Sequence, residues 1–327
     1  MLECGRDHRG DVQQAGGKSG MSDPNCKRKR GGSSVGPVKK METFESEVLA
    51  LKKELGPASW DNLFCPKAGP RDLQAFWQEV TEKGEELKTR YSWAVPSERA
   101  LNICSQFGPL IEIGAGKGYW AYELRSRGVD IVCADKYTAG DDENWVDDVI
   151  SAGPELLGDA TPAANGKTKT KGKTKGKTKT KGKGADLGGL ANGRNLFLCY
   201  PDEMEVVSTE CFERFTGQYI VHVGELFITG TKAGGGTAPW GRTTDSEFQV
   251  LLSEQFHCVI VAKLPGFPHT NDYISVWKRS SFVTIDDDED NDFVDEEDEP
   301  LSYRSVPKEE ALPDCSRAAP AFEHLLR

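Results

Sequence analysis

Between Glu112 and Asp135 stand residues whose types and spacing suit the binding of a nucleoside. Glu112 lies near the end of an apolar run, and Gly114, Gly116 and Gly118 follow as G-x-G-x-G, with Ala115 and Lys117 between them. Glycine turns sharply and brings backbone close to a ligand with no Cβ in the way. The helix that such a turn opens offers free N–H groups to a polar or anionic ligand group. Asp135 comes 21 residues after Gly114, at the end of the next apolar run. A carboxylate there accepts hydrogen bonds from both hydroxyls of a ribose. The implied ligand carries a ribose and a polar or charged tail.

Holding these groups requires a strand, a turn, a helix and a second strand. The apolar run Pro109–Ile113 supplies the first strand. Tyr119 to Ser126 has helical spacing, with Trp120, Leu124 and Arg127 three or four apart, and Gly128 stops it. The run from Val129 to Ala134 is the second strand, which completes one βαβ half of a nucleotide-binding sheet. A P-loop is excluded, because Ile111 stands where its first glycine belongs and Gly118 follows Lys117 in place of Ser or Thr. The dinucleotide fingerprint G-x-G-x-x-G fails at its third glycine, where Tyr119 sits.

The pattern that remains, Glu112-Ile113-Gly114-Ala115-Gly116-Lys117-Gly118, resembles motif I of the class I S-adenosylmethionine-dependent methyltransferases, [DE]-x-G-x-G-x-G. The layout is also similar to a group of eukaryotic methyltransferase-like proteins that share G-A-G-x-G-Y-W and a V-G-E fifth strand. The resemblance covers about residues 97–282 apart from an insert. It implies an α/β fold: a doubly wound Rossmann-like sheet, mostly parallel with an antiparallel last strand, and helices on both faces. It implies S-adenosyl-L-methionine as cofactor. Gly114, Ala115, Gly116 and Gly118 would pass the backbone along the methionine moiety. Glu112 would orient that loop or bind the amino group through water, and Asp135 would hold the ribose. Related enzymes set a polar side chain against the adenine amino group, a role open here to Asp147 or Asp148.

The acceptor side is less defined. Relatives acting on amino groups carry [DNS]-P-P-[FYW] after the fourth strand, whereas this chain has Cys199-Tyr200-Pro201-Asp202. Tyr200 is the candidate to shape the methyl pocket, and Asp202 the candidate to take a substrate proton. The methyl acceptor stays open. Two alternatives stand beside this reading: a non-catalytic scaffold of the same fold, and an NAD-dependent oxidoreductase.

The rest of the chain supplies the frame. Apolar spacing predicts helices over 41–55, 71–89, 98–107 (capped by Ser97), 204–215 and 245–256 (capped by Thr244). Residues 144–149 read as a short third strand or its flanking loop, and strands are expected at 195–200 and 218–223, followed by an antiparallel pair at 257–264 and 272–278. Tyr91 and Trp93 are candidates to line a lid, and Trp240 lies in a glycine-rich loop expected over the site. Glu225 falls at the carboxyl edge of the sheet. His222, inside an apolar strand, reads as a core histidine.

Charge is segregated behind the net −11. Residues 1–40 form a basic arm containing Lys27-Arg28-Lys29-Arg30 and too few large apolar residues to fold. A Lys/Thr/Gly repeat at 166–184 carries nine lysines, and 286–299 carries eleven acids. Since the remainder is acidic, any contact with polyanions or nucleic acid falls to the arm and the insert. The expected organisation is a disordered arm (1–40), a helical segment (41–96), a methyltransferase-like domain (97–285) interrupted by the disordered insert, and an acidic, mostly disordered tail (286–327) with a short terminal helix. No run of apolar residues suits a membrane span, and no apolar leader is present. Nine scattered cysteines without C-x-x-C suit reduced thiols and no metal site. The expected localisation is cytoplasmic, nuclear or both.

Overall fold

A computed structural model describes residues 43–55, 73–137, 143–159, 189–202, 205–226, 243–267, 270–284, 302–313 and 316–326. The basic arm with Lys27–Arg30, the insert at 166–184, the glycine-rich loop with Trp240 and the acidic run at 286–299 lie outside the described residues.

The helices are α1 (Phe44–Leu55), α2 (Leu73–Arg90), α3 (Glu98–Gln106), α4 (Tyr119–Ser126), α5 (Val207–Arg214) and α6 (Ser246–Gln255). The strands of the main sheet are β1 (Leu110–Ile113), β2 (Ile131–Asp135), β3 (Ile150–Ser151), β4 (Asn195–Cys199), β5 (Tyr219–Gly224), β6 (Phe256–Lys263) and β7 (Tyr273–Arg279). Their order is β3-β2-β1-β4-β5-β7-β6. The first five are parallel. β7 runs antiparallel to both neighbours, so the last strand of this sheet lies between β5 and β6. This is the doubly wound, Rossmann-like arrangement expected from the sequence.

Alternation along each strand feeds two layers. Ile111, Ile113, Leu196, Leu198 and Ile220 pack with Phe212 of α5 and Phe248 and Leu252 of α6. Leu110, Phe197, Val221 and Val223 pack on the opposite face with Leu101 of α3 and Trp120 and Leu124 of α4. A third cluster ties the N-terminal helices to the sheet: Phe44, Val48, Val80 and Leu87 meet Tyr91, Tyr119 and Phe267. Phe44 stacks on Tyr91 with centroids 4.7 Å apart. The helical segment therefore belongs to the same unit, which runs from Glu42 to Arg327.

Three details settle or correct the sequence reading. The third strand is only Ile150–Ser151, and 144–149 is the loop before it, the second of the two expected alternatives, because its side chains are held elsewhere. Trp145 N–H donates to Lys117 O at 2.8 Å, its ring stacks on Tyr91, and Val146 is buried. The cap of α6 is Asp245 and not Thr244. The Asp245 carboxylate accepts from Phe248 N at 2.9 Å and also from the hydroxyls of Ser208 and Thr209 and from Thr209 N, satisfying four donors at once. Beyond the acidic run, the tail contains structure: β9 (Ser302–Ser305) pairs with β8 (Ser281–Thr284), and Ala318 and Ala319 are buried along β6. Backbone bonds from Val261 N to Arg317 O (2.7 Å) and Ala319 N to Val259 O (2.8 Å) cover that edge strand. The terminal helix, Pro320–Leu326, is of the 3₁₀ type. Among the described residues no helix is long and apolar enough to cross a membrane.

Candidate functional site

β1 and β4 are neighbours, but the chain leaves them toward opposite sides of the sheet, β1 to β2 and β4 to β5. Ligands of open α/β sheets bind at the carboxyl ends of the strands at such a switch point. A cavity of about 180 Å³ opens there, lined by Glu112, Gly114 to Lys117 and Cys199 on one side and by residues of 88–93 on the other.

The three glycines do different work. Gly114 (φ +81°) and Gly116 (φ +55°) occupy the left-handed region, and a Cβ on either would meet nothing within 4 Å. Backbone conformation requires glycine there, while the space beside it stays open to a ligand. Gly118 (φ +76°) is enclosed: its Cβ would lie 2.5 Å from Val146 Cγ2. Gly118 therefore answers to packing at the start of α4, and it does not line the cavity.

Asp135 is wired to the loop. Its Oδ2 accepts from Gly116 N at 2.8 Å and its Oδ1 from Tyr137 N at 2.7 Å. Each carboxylate oxygen has a second lone pair, and the residue is half-buried, so one side chain clamps the turn and still presents acceptors outward. Glu112 is its opposite. It is 1% exposed, and its Oε2 has no hydrogen-bond partner. Burial, reinforced by the nearby Asp135 charge and opposed by Arg125, pushes its carboxyl up to about 8. A buried acceptor without a donor is uncommon, and one facing a cavity fits a ligand that brings a donor or positive charge.

The facing wall comes from the end of α2 and the turn after it. Tyr91 is buried between Phe44 and Trp145. Trp93 is 55% exposed and stacks on Tyr200 at 6.3 Å. Ser92 Oγ lies 3.9 Å from Cys199 Sγ. Both aromatics named in the sequence as lid candidates border the cavity.

At the end of β4 the backbone turns through two left-handed non-glycine residues, Tyr200 (φ 51°) and Asp202 (φ 76°). Such conformations cost ~1–3 kcal/mol each and cluster at functional sites. The Tyr200 hydroxyl donates to Asp272 Oδ1, and Thr270 Oγ1 donates to Asp272 Oδ2 at 2.9 Å. Burial pushes the Asp272 carboxyl up to about 6 against these two bonds, and it raises the Tyr200 phenol as well. Asp202 is exposed, its backbone bridges to Thr244, and it does not line the cavity. Glu225 Oε1 accepts from Asn271 N at 2.7 Å, beside the same corner. Asp147 and Asp148 are exposed away from the cavity, and Asp148 pairs with Arg125. His222 is buried with Nδ1 unpartnered and Nε2 3.5 Å from Thr243, and burial lowers its pKa to about 3.

The structure thus brings Glu112, Gly114, Ala115 and Gly116 into one wall, with Asp135 behind the loop. It adds Lys88, Ser92, Cys199 and Asp272, which the sequence reading did not single out as site residues. Their only sequence signal was position: Cys199 closes the fourth strand, and Asp272 opens the last one.

No family model matches the chain, and no curated protein matches its sequence. Similar solved structures include TnmH, at 12% identity over 72% of this chain and 68% of that one (TM-score 0.30). Human N-acetylserotonin methyltransferase in complex with S-adenosylmethionine is 11% identical over 72% and 67% (TM-score 0.29). The CMeT domain of the citrinin polyketide synthase is 11% identical over 73% and 66% (TM-score 0.28). Similarity at this level assigns no activity.

Proposed function

We propose that the chain is an S-adenosylmethionine-dependent methyltransferase. The observation that carries this reading is the pairing of an open, left-handed glycine loop with the buried, unpartnered Glu112 oxygen at the sheet's switch point. These features fit the cofactor. The cavity wall at Gly114–Gly116 admits a chain running close to backbone, Glu112 suits a cationic amino group, and Asp135 has acceptors left for ribose hydroxyls. When bound, the cofactor supplies a methyl group activated by a sulfonium. The protein's part is to hold donor and acceptor in line and to exclude water. Tyr200 and Trp93 would form the acceptor-side wall. Asp202 would take a proton only from an acceptor extending past the cavity. Contact with polyanions or nucleic acid, in the cytoplasm or nucleus, would fall to the basic arm and Lys-rich insert.

Calorimetry with S-adenosylhomocysteine tests the reading. Binding is expected, and Asp135→Ala should weaken it by ~1–3 kcal/mol, the cost of losing a charge-assisted bond and the loop clamp. If the parent does not bind, or if a thermal-shift panel shows stabilisation by NAD instead, the reading fails. The altered Cys199–Asp202 corner favours a second reading, a cofactor-binding scaffold without transfer. Methyl transfer from labelled cofactor into a cell extract, lost on Gly116→Trp, would eliminate it.

A further inference from the structure

We infer that Lys88 is itself a methyl acceptor, modified within the protein's own site; this rests on the methyltransferase reading above. Lys88 lies in the last turn of α2 and lines the same cavity as the glycine loop, Glu112 and Cys199. Its side chain is only 15% exposed, unusual for a lysine. The Nζ atom stands 5.0 Å from the centre of the Trp93 ring and 5.2 Å from that of Phe267. Its one ion-pair partner among the described residues is Glu85, at 3.0 Å on the same helix. Asp272, buried at the adjoining corner, adds its charge to the field at Lys88.

The chemistry of this setting suits a methylated nitrogen. A bare ammonium is strongly hydrated and gains little from burial between two aromatic faces. Methyl groups reduce that hydration and keep the positive charge, which is the combination aromatic faces hold best. A lysine drawn out of water, between two rings and across a cavity from the proposed methyl donor, is placed both to react and to be retained as product.

The transfer balances without a further reagent. Lys88 Nζ first loses a proton through Glu85, whose side chain is 51% exposed and passes it to solvent. The freed nitrogen lone pair forms the new N–C bond as the donor's S–C bond breaks, and that electron pair stays on sulfur. The sulfonium becomes a neutral thioether, the product nitrogen carries the charge, and one proton is released overall.

Two measurements decide the matter. Peptide mass mapping after incubation with S-adenosylmethionine should show methyl mass on the peptide containing Lys88, at a first-order rate independent of protein concentration. Lys88→Arg keeps the charge and should abolish the addition. The second measurement needs no turnover: saturation with S-adenosylhomocysteine should abolish acylation of Lys88 by an amine-directed reagent, while exposed lysines such as Lys53 react as before. If S-adenosylhomocysteine binds but Lys88 stays unmethylated, remains open to acylation, or the mass persists in Lys88→Arg, this inference is overturned and the methyltransferase reading survives. If the ligand does not bind, both fall together.

Discussion

The two walls of the cavity are built in opposite ways. One is, apart from Cys199, a single stretch, Glu112 to Lys117, wired locally to the end of β2: Gly116 N to Asp135 across 19 residues, and Gly114 N and Ala115 N to Ala134 O. The other is assembled from distant pieces. Lys88 comes from the last turn of α2 and Trp93 from the segment after it, and behind them stand Tyr200, just past β4, and Phe267 and Asp272 from the turn before β7. Backbone preorganises the first wall; side-chain stacking and a buried Tyr–Asp bond hold the second. A wall of fixed backbone suits a ligand that is always the same, and a wall of side chains can change its acceptor by substitution. The division predicts that variants of the first wall alter cofactor binding, and variants of the second alter transfer.

The largest expected effect is at Glu112. Its carboxyl holds a proton up to about pH 8, whereas in the unfolded chain it releases it near 4.5. Across that window the native protein binds more protons than the unfolded chain, so stability falls as pH rises, by about 1.4 kcal/mol per pH unit. Glu112→Gln removes this slope and should leave the protein more stable than the parent at pH 8 and above. In the parent, S-adenosylhomocysteine should bind more tightly as pH rises toward 8, because its ammonium favours the ionised carboxylate. Denaturant midpoints measured for both proteins from pH 5 to about 9 that run parallel would show that Glu112 is not held protonated, and S-adenosylhomocysteine affinity that does not change with Glu112→Gln would remove Glu112 from the ligand's site.

A smaller effect separates glycines that look equivalent in sequence. Gly118→Ala places a Cβ 2.5 Å from Val146 in a left-handed turn. Strain of ~1–2 kcal/mol and overpacking of ~1–3 kcal/mol should both appear as lost stability. Gly114→Ala has the strain without the clash, so its thermal stability should fall less while its cofactor affinity falls more. Equal losses of S-adenosylhomocysteine affinity in the two variants would mean that the space beside Gly114 is not a ligand path.

This contrast shows what was legible in the chain. The stretch from Leu110 to Asp135 could be read because strand, turn, helix and strand are set by local periodicity and by glycines that each occupy a left-handed φ. The antiparallel pair at β6 and β7 was legible for the same reason, since a short connection permits only a hairpin. The sequence leaves 144–149 open between a third strand and its flanking loop, and the structure takes the loop, because Trp145 and Val146 have strand-like character but are claimed by the aromatic cluster and by Gly118. Lys88 and Asp272 left no local trace. Nothing in the neighbourhood of either residue indicates that the other will lie across the same corner; only the sheet order brings α2 against the turn before β7. Backbone-built sites announce themselves in sequence, and sites assembled from side chains do not.

The smallest expected effect is the sharpest test of that division. Trp93 is 55% exposed, so its removal should cost little core burial. It loses the stack on Tyr200 and the Lys88 contact, ~0.5–1.5 kcal/mol and ~0.5–1 kcal/mol respectively. Trp93→Ala should therefore lower stability by ~2.5 kcal/mol at most, and leave S-adenosylhomocysteine affinity within about tenfold of the parent, or ~1.4 kcal/mol. Methyl transfer, to Lys88 or to any other acceptor, should fall further than affinity does, because the acceptor loses an aromatic face while the glycine loop, Glu112 and Asp135 are untouched. Comparing the drop in transfer rate with the drop in binding measures how far the two walls act separately. If Trp93→Ala weakens S-adenosylhomocysteine as much as Asp135→Ala does, Trp93 is a cofactor contact, and the boundary between the walls lies beyond it at Tyr200 and Asp272.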